Sequence, residues 1–365
     1  MSRRAVVASG AGLLLWGGGA AWAGTAGAAG GRFVPRLPAP TGPHPVGSVP
    51  LYLVDRSRPD PWDAGIAVRE VMATVFYPAR TVRGYPAGRQ MDRDAVELFG
   101  QIDVPVHGLP AAGVDWAGIA SHAHPGAPVA AGRRRPVLVF SPGGGEPRAM
   151  GTSLAEELAS RDYVVVALDH PGDSSEVAFP VARAGRDRVR PTALTPVIGT
   201  ETFRTMVATR VADIRFVLDE LAAGRALPEE IGRALDPRRV GLYGHSAGGT
   251  AVAEAMHEDR RVRAAVNLEG YLDDPAGELF PVAREGTGRP LLLVGTDGFD
   301  DARFERSWGA VRGRVSRRRM VSATHWVFSD YAALAPQLEA AGLMSTGARR
   351  ALVGSFFAEW LPWVR

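Results

Sequence analysis

The sequence has no cysteine and no lysine, and all 42 of its basic residues are arginine. Without a thiol there are no disulfides, no thiolate nucleophile and no cysteine-held metal. Without lysine, the Gly-Lys-Ser ending of a phosphate-binding loop cannot occur. Charge of one sign is scarce too: the formal net charge is only +3. The short clusters Arg133 to Arg135 and Arg317 to Arg319 lack interleaved aromatics, so they read as solvated surface, and no nucleic-acid partner is expected. Beyond the first residues no apolar run is long enough to span a bilayer, which predicts no transmembrane segment in a mature chain. What is present is an ordinary globular balance, 46% hydrophobic and 22% charged over 365 residues, for which one large α/β domain is the economical reading.

The first residues read differently from the rest. Arg3 and Arg4 precede a weakly apolar run rich in glycine and alanine, and Ala21-Trp22-Ala23 offers small residues before Gly24. A charged start, an apolar middle and an Ala-x-Ala end predict an export signal over 1–23, twin-arginine-like because of the paired arginines. A Gly-, Ala- and Pro-rich linker over 24–45 and a single domain over 46–365 follow, and the product is expected to be secreted or at the cell surface.

Ser48 to Val54 and Val68 to Tyr77 alternate apolar and polar residues, which predicts antiparallel edge strands. The stretch from Arg83 to Arg135 has no sustained periodicity; a stretch this long is usually functional or partly helical. Its His107, His122 and His124 read as surface histidines rather than metal ligands. Then come a buried strand over 136–140, a helix over about 150–160 and a strand over 163–168, an alternation that predicts parallel crossovers. Residues 173–200 again lack a period and are expected to cap the carboxyl edge of the sheet. Met206, Val207, Val211, Ile214, Val217, Leu218 and Leu221 form one stripe of a long helix over 202–221. Further strands are expected over 262–268, 290–294 and 315–321, and Leu352, Phe356 and Trp360 suggest a terminal packing helix.

Chemistry concentrates where Val240, Leu242 and Tyr243 run into Gly244-His245-Ser246-Ala247-Gly248 and then an alanine-rich helix. A serine between glycines, with a strand before it and a helix after it, marks a strained turn that lifts its hydroxyl above the sheet. The helix N-terminus faces the same point, so the Ala247 N–H can stabilise a developing oxyanion. Ser141-Pro142-Gly143-Gly144-Gly145 ends another central strand, and Gly144 is the expected second donor. A serine hydroxyl needs a base, and the base an orienting carboxylate, in the chain order serine, acid, histidine. Only His257 and His325 follow Ser246, and His257 lies far along the helix, so His325 is the expected base. For the acid, Glu269 and Asp297 each follow a strand, and the residues alone leave the two near even. No metal ligand or cofactor is assigned.

Together, Thr41 to Gly47, Arg69 to Pro78, Phe140 to Gly145, Gly244 to Gly249 and Thr324 to Asp330 give a specific combination. Through them the sequence resembles the platelet-activating-factor acetylhydrolase-like branch of the α/β-hydrolases, with its bacterial lipases and esterases, over roughly Pro40 onward. The resemblance implies an α/β-hydrolase fold with a mostly parallel sheet, helices on both faces and a cap insertion. It implies a Ser-His-acid hydrolase of small-molecule or lipid carboxylic esters. It also implies that the acid follows the strand after the elbow, which maps onto Glu269, here a glutamate where the family has aspartate. Ser141-Pro142-Gly143-Gly144 departs from the animal relatives, so a different acyl pocket is expected. A peptidase or amidase of the same fold, or a non-catalytic binding protein on a hydrolase scaffold, is the alternative.

Overall fold

Val46–Asp55 (β1) and Arg69–Pro78 (β2) pair antiparallel in full register, Val46 opposite Pro78 and Asp55 opposite Arg69. The structure, a computed structural model, describes residues 13–14, 31–183, 185–298 and 301–355. Apart from 13–14, the expected export signal lies outside these residues, as do Phe356 and Trp360 of the expected terminal helix.

Among the described residues the main sheet has nine strands. The remaining seven are Ala123–Pro125 (β3), Arg135–Ser141 (β4), Val164–Asp169 (β5), Leu235–His245 (β6), Val262–Leu268 (β7), Thr287–Thr296 (β8) and Gly313–Met320 (β9). Their order is β9-β8-β7-β6-β4-β5-β2-β1-β3, and the run from β9 to β5 is parallel throughout. Such an all-parallel run needs cover on both faces, which is why its strands read as apolar runs rather than alternations. The cover comes from Thr152–Ser160 (α2) on one face and from Thr200–Ala222 (α3) and Ala247–Glu258 (α4) on the other. Val137, Val139, Val240 and Leu242 pack toward α3 and α4, whereas the alternate residues Phe140, Tyr243, Val165 and Ala167 pack with Ala155 and Ala159 of α2.

Two expectations change. β2 is not an edge strand: it lies between β5 and β1, and even β1 is covered by β3, which comes from the aperiodic stretch after Arg83. That stretch also forms Val96–Val106 (α1), a helix that carries Pro105 in its last turn. Tertiary packing rather than local pattern makes it: Phe99 and Val104 join Trp116, Tyr331 and Leu338 in a second cluster. Residues 31–45, expected as linker, lie against the domain in the structure. Leu37 is buried, the Phe33 N–H bonds to Gly113 O, and the Thr41 N–H bonds to Glu157. The strand expected over 315–321 is the far edge, β9, and is mostly exposed. No helix among the described residues is long and apolar enough to cross a membrane.

Candidate active site

Ser246 stands between β6 and α4 with φ 52° and ψ −122°, a left-handed region that a residue with a side chain enters at a cost of about 1–3 kcal/mol. The surroundings over-determine it. Its N–H bonds to Leu268 O at 2.8 Å, and its carbonyl accepts from the Thr250 N–H at 3.1 Å. A Cβ on Gly244 would lie 2.4 Å from Gly248 O, and one on Gly248 would lie 2.0 Å from Ser141 O, so both flanking glycines are required by close backbone approach.

The loop after β4 lies against this turn. A Cβ on Gly144 would come within 3.5 Å of the Ala247 Cβ and 3.1 Å of the Met206 Sδ. The neighbouring N–H groups are committed: Gly143 donates to Glu146 Oε2 at 2.8 Å and Gly145 to Asp173 Oδ1 at 3.3 Å. Among the described residues the Gly144 N–H has no such acceptor. Ala247 opens α4, so its N–H is one of the donors that a helix cannot satisfy internally. The Gly144 loop and the start of α4 therefore meet next to Ser246.

Glu269 also sits at a positive φ, 58°, immediately after β7. Its Oε2 meets His325 Nδ1 at 2.8 Å, and its Oε1 accepts from the Thr296 hydroxyl at 2.6 Å. Both residues are buried, at 1% and 7% exposure, so the pair is held in a low dielectric. Burial opposes ionisation of Glu269, but the bonds from His325 and Thr296 outweigh it and hold the carboxyl below its usual range. Burial likewise lowers the pKa of His325, assisted by the nearby His245, against the pull of Glu269. The structure separates the two acids that the sequence left near even. Asp297 is exposed and accepts from the Ser322 and Ala323 N–H groups at 2.9 and 3.2 Å, which fastens the turn before His325. His257 is at the far end of α4, facing Glu285.

Sequence reasoning passed over the residues beneath the loop. Arg210, on the buried stripe of α3, is wholly inaccessible. Its guanidinium grips Asp173 at 2.5 and 2.8 Å and bonds to Gly143 O, Pro142 O and the Ser141 hydroxyl, so the loop carbonyls turn toward it. Arg69, Asp60, Asp213 and His170 continue the network. A usable signal was present: positions 210 and 213 fall on the stripe of Met206, Val207, Ile214 and Val217, where a charged residue must find a partner. His107 is buried rather than at the surface, with its ring 4.3 Å from Trp326 and 4.4 Å from Tyr331. His122 and His124 each meet a backbone carbonyl, Leu37 O and Tyr85 O.

A recess of about 40 Å³ adjoins the loop, lined by Gly144, Gly145, Val106, His107, Leu194 and Trp326. α1 and residues 192–195, from the two aperiodic stretches, supply part of its wall. A larger apolar cavity of about 780 Å³ lies on the α2 face, lined by Phe140, Met150, Leu154, Tyr243 and Phe328, without Ser246, Glu269 or His325.

Known proteins resemble this chain in sequence and in fold. A family model described as platelet-activating factor acetylhydrolase, isoform II, matches residues 113–197. The chain is 29% identical over 212 residues to a probable 1-alkyl-2-acetylglycerophosphocholine esterase of Arthroderma benhamiae, covering 54% of this chain and 49% of that protein. It is 23% identical over 227 residues to a platelet-activating factor acetylhydrolase of Cavia porcellus, covering 56% and 50%. The chain thus spans about half the length of the curated relatives it matches. Among solved structures, a ferulic acid esterase from Streptomyces cinnamoneus superposes with a TM-score of 0.70 at 32% identity, covering 88% of this chain and 86% of that one. The chain belongs to the platelet-activating-factor acetylhydrolase-like, lipase and esterase branch of the α/β-hydrolase superfamily.

Proposed function

We propose that the protein is a carboxylic ester hydrolase working through an acyl-enzyme, with Ser246 as nucleophile, His325 as base and Glu269 as the acid that orients it. The observation that carries this reading is the buried 2.8 Å bond between Glu269 Oε2 and His325 Nδ1 at the sheet edge where Ser246 stands. That bond puts a proton on Nδ1 and leaves Nε2 as the basic nitrogen. In the reaction, Nε2 takes the Ser246 hydroxyl proton as Oγ bonds to the ester carbonyl carbon, and the carbonyl electrons move onto oxygen. The Gly144 and Ala247 N–H groups hold that oxyanion, each worth on the order of 3 kcal/mol in such sites. The C–O bond to the alcohol then breaks, and the leaving oxygen takes the proton from His325. Water, deprotonated by His325, attacks the acyl carbon and releases the acid and free Ser246.

The small recess beside Gly144 favours a short acyl group, with α1 and residues 192–195 as its limit. The pair Arg3-Arg4 and the Ala21-Trp22-Ala23 segment favour export of the protein. Hydrolysis of p-nitrophenyl acetate tests the catalytic reading: Ser246→Ala should abolish turnover with the circular dichroism spectrum unchanged. A fully active, folded Ser246→Ala protein would contradict it. Chain length is tested with p-nitrophenyl esters from acetate to palmitate, for which kcat/KM should fall as the acyl chain grows.

A further inference from the structure

A second carboxylate–imidazole pair lies behind the first, and the reaction as written does not use it. Glu146 and His245 are buried, at 1% and 0% exposure. Glu146 Oε2 meets His245 Nδ1 at 2.7 Å while accepting the Gly143 N–H at 2.8 Å. The other nitrogen of His245, Nε2, is 3.0 Å from His325 O. A carbonyl oxygen only accepts, so Nε2 carries a proton. The short contact on the opposite side of the ring needs a second proton between Nδ1 and the carboxylate. Burial by itself would raise the Glu146 carboxyl, but the charge and hydrogen bond of His245 outweigh it and hold the carboxyl below its usual range.

The connections run to three separate segments. Glu146 holds the N–H next to the Gly144 donor, His245 is the residue before Ser246, and its far nitrogen holds the backbone of the base. The rings of His245 and His325 are 4.5 Å apart.

We propose that the Glu146–His245 ion pair is a positioning device: it locks the oxyanion loop, the nucleophile and the base in one register, and its imidazolium keeps His325 in the neutral, proton-accepting form. The inference rests on the function proposed above. The other titratable groups facing His325 are Glu269, which favours its charged form, and the buried His107 at the end of α1, whose own charged form burial disfavours. Asp103 and Tyr331 face Glu146, and Glu176 bonds to Asp103. Burial pushes all three toward their neutral forms, which leaves His245 as the counter-charge of Glu146.

Two variants separate this role from a purely structural one. In Glu146→Gln the amide oxygen can still accept from Gly143, but a buried imidazolium loses its counter-charge and becomes neutral. In His245→Gln the imidazolium is removed outright. In both, His325 loses the nearer positive charge, so its pKa should rise by about half to one unit, the scale expected for charges at this separation partly offset by Glu146. The ring titration of His325 is followed by NMR in a Ser246→Ala background, which needs no turnover. In the active chain the acid limb of the kcat/KM profile should shift upward by the same amount, with kcat reduced about tenfold and KM within about twofold, the signature of lost transition-state positioning. If either variant folds poorly, the other is read. Folded variants with an unmoved His325 titration and an unmoved acid limb would overturn the proposal. A wild-type chain that hydrolyses no ester would instead defeat the catalytic reading, and the NMR titration would still decide on the pair.

Discussion

Two buried carboxylate–histidine pairs lie side by side in this protein, Glu269–His325 and Glu146–His245, and they are built for opposite ends. Each places a carboxylate oxygen 2.7–2.8 Å from an Nδ1. What differs is the second nitrogen. In His245 it meets a backbone carbonyl, the contact through which the ring would act as the proposed strut. In His325 Nδ1 meets the acid, and Nε2 is the nitrogen proposed to serve Ser246. The same pair of residue types is thus a clamp or a base according to where the last proton acceptor stands, a distinction that neither the motif nor the pKa of one group conveys alone.

The comparison breaks most sharply at the first pair. Glu269→Gln removes the charge that stabilises the imidazolium formed on His325, and kcat for p-nitrophenyl acetate should fall on the order of 10³–10⁴-fold. Asp297→Asn, which alters only the turn at Ser322 and Ala323, should stay within about threefold, since exposed polar changes away from the chemistry cost little. A reversal of these two results would transfer the orienting role to Asp297. Glu146→Gln should fall between them, near tenfold, and a loss as large as that of Glu269→Gln would mean that the second pair touches the chemistry directly.

Stability sharpens the same contrast between paired and unpaired buried charge. Arg210→Met leaves Asp173 buried without its cation and frees the carbonyls of the oxyanion loop. Chemical denaturation should report a loss of about 3–5 kcal/mol. Glu254, on α4, is a buried acid that forms no salt bridge among the described residues; its Oε1 accepts the Val282 N–H, and burial pushes its pKa up to about 7 against the weaker pull of Arg284. The folded chain keeps that proton to about pH 7, whereas an unfolded glutamate releases it near 4.5, so this group costs stability as pH rises through that window. Glu254→Gln retains the acceptor and should gain about 2 kcal/mol at pH 8 and almost nothing at pH 4.

Much of the frame was legible in the sequence because it is written in local patterns. Apolar runs at 136–140, 163–168 and 262–268 became β4, β5 and β7 with ends displaced by at most a residue or so. The serine turn was readable because glycine at 244 and 248 answers a steric demand that no other residue meets. Which acid meets His325 was not readable from residues, since Glu269 and Asp297 both follow parallel strands and only the path of the loop before His325 separates them. Nor was the Arg69–Asp213 pair, whose members are 144 positions apart, or the contact of Glu146 with His245, 99 positions away. α1 escaped notice for a related reason: its partners, Tyr331 and Leu338, come from the other end of the chain.

The central claim, a serine made reactive by His325 under the control of Glu269, is tested most directly by locating and timing a fluorophosphonate label. The account predicts a single adduct on Ser246, identified by peptide mass spectrometry, with labelling slowed by at least about a hundredfold in His325→Gln. An adduct on a different serine, or labelling as fast in His325→Gln as in the unaltered chain, would contradict it.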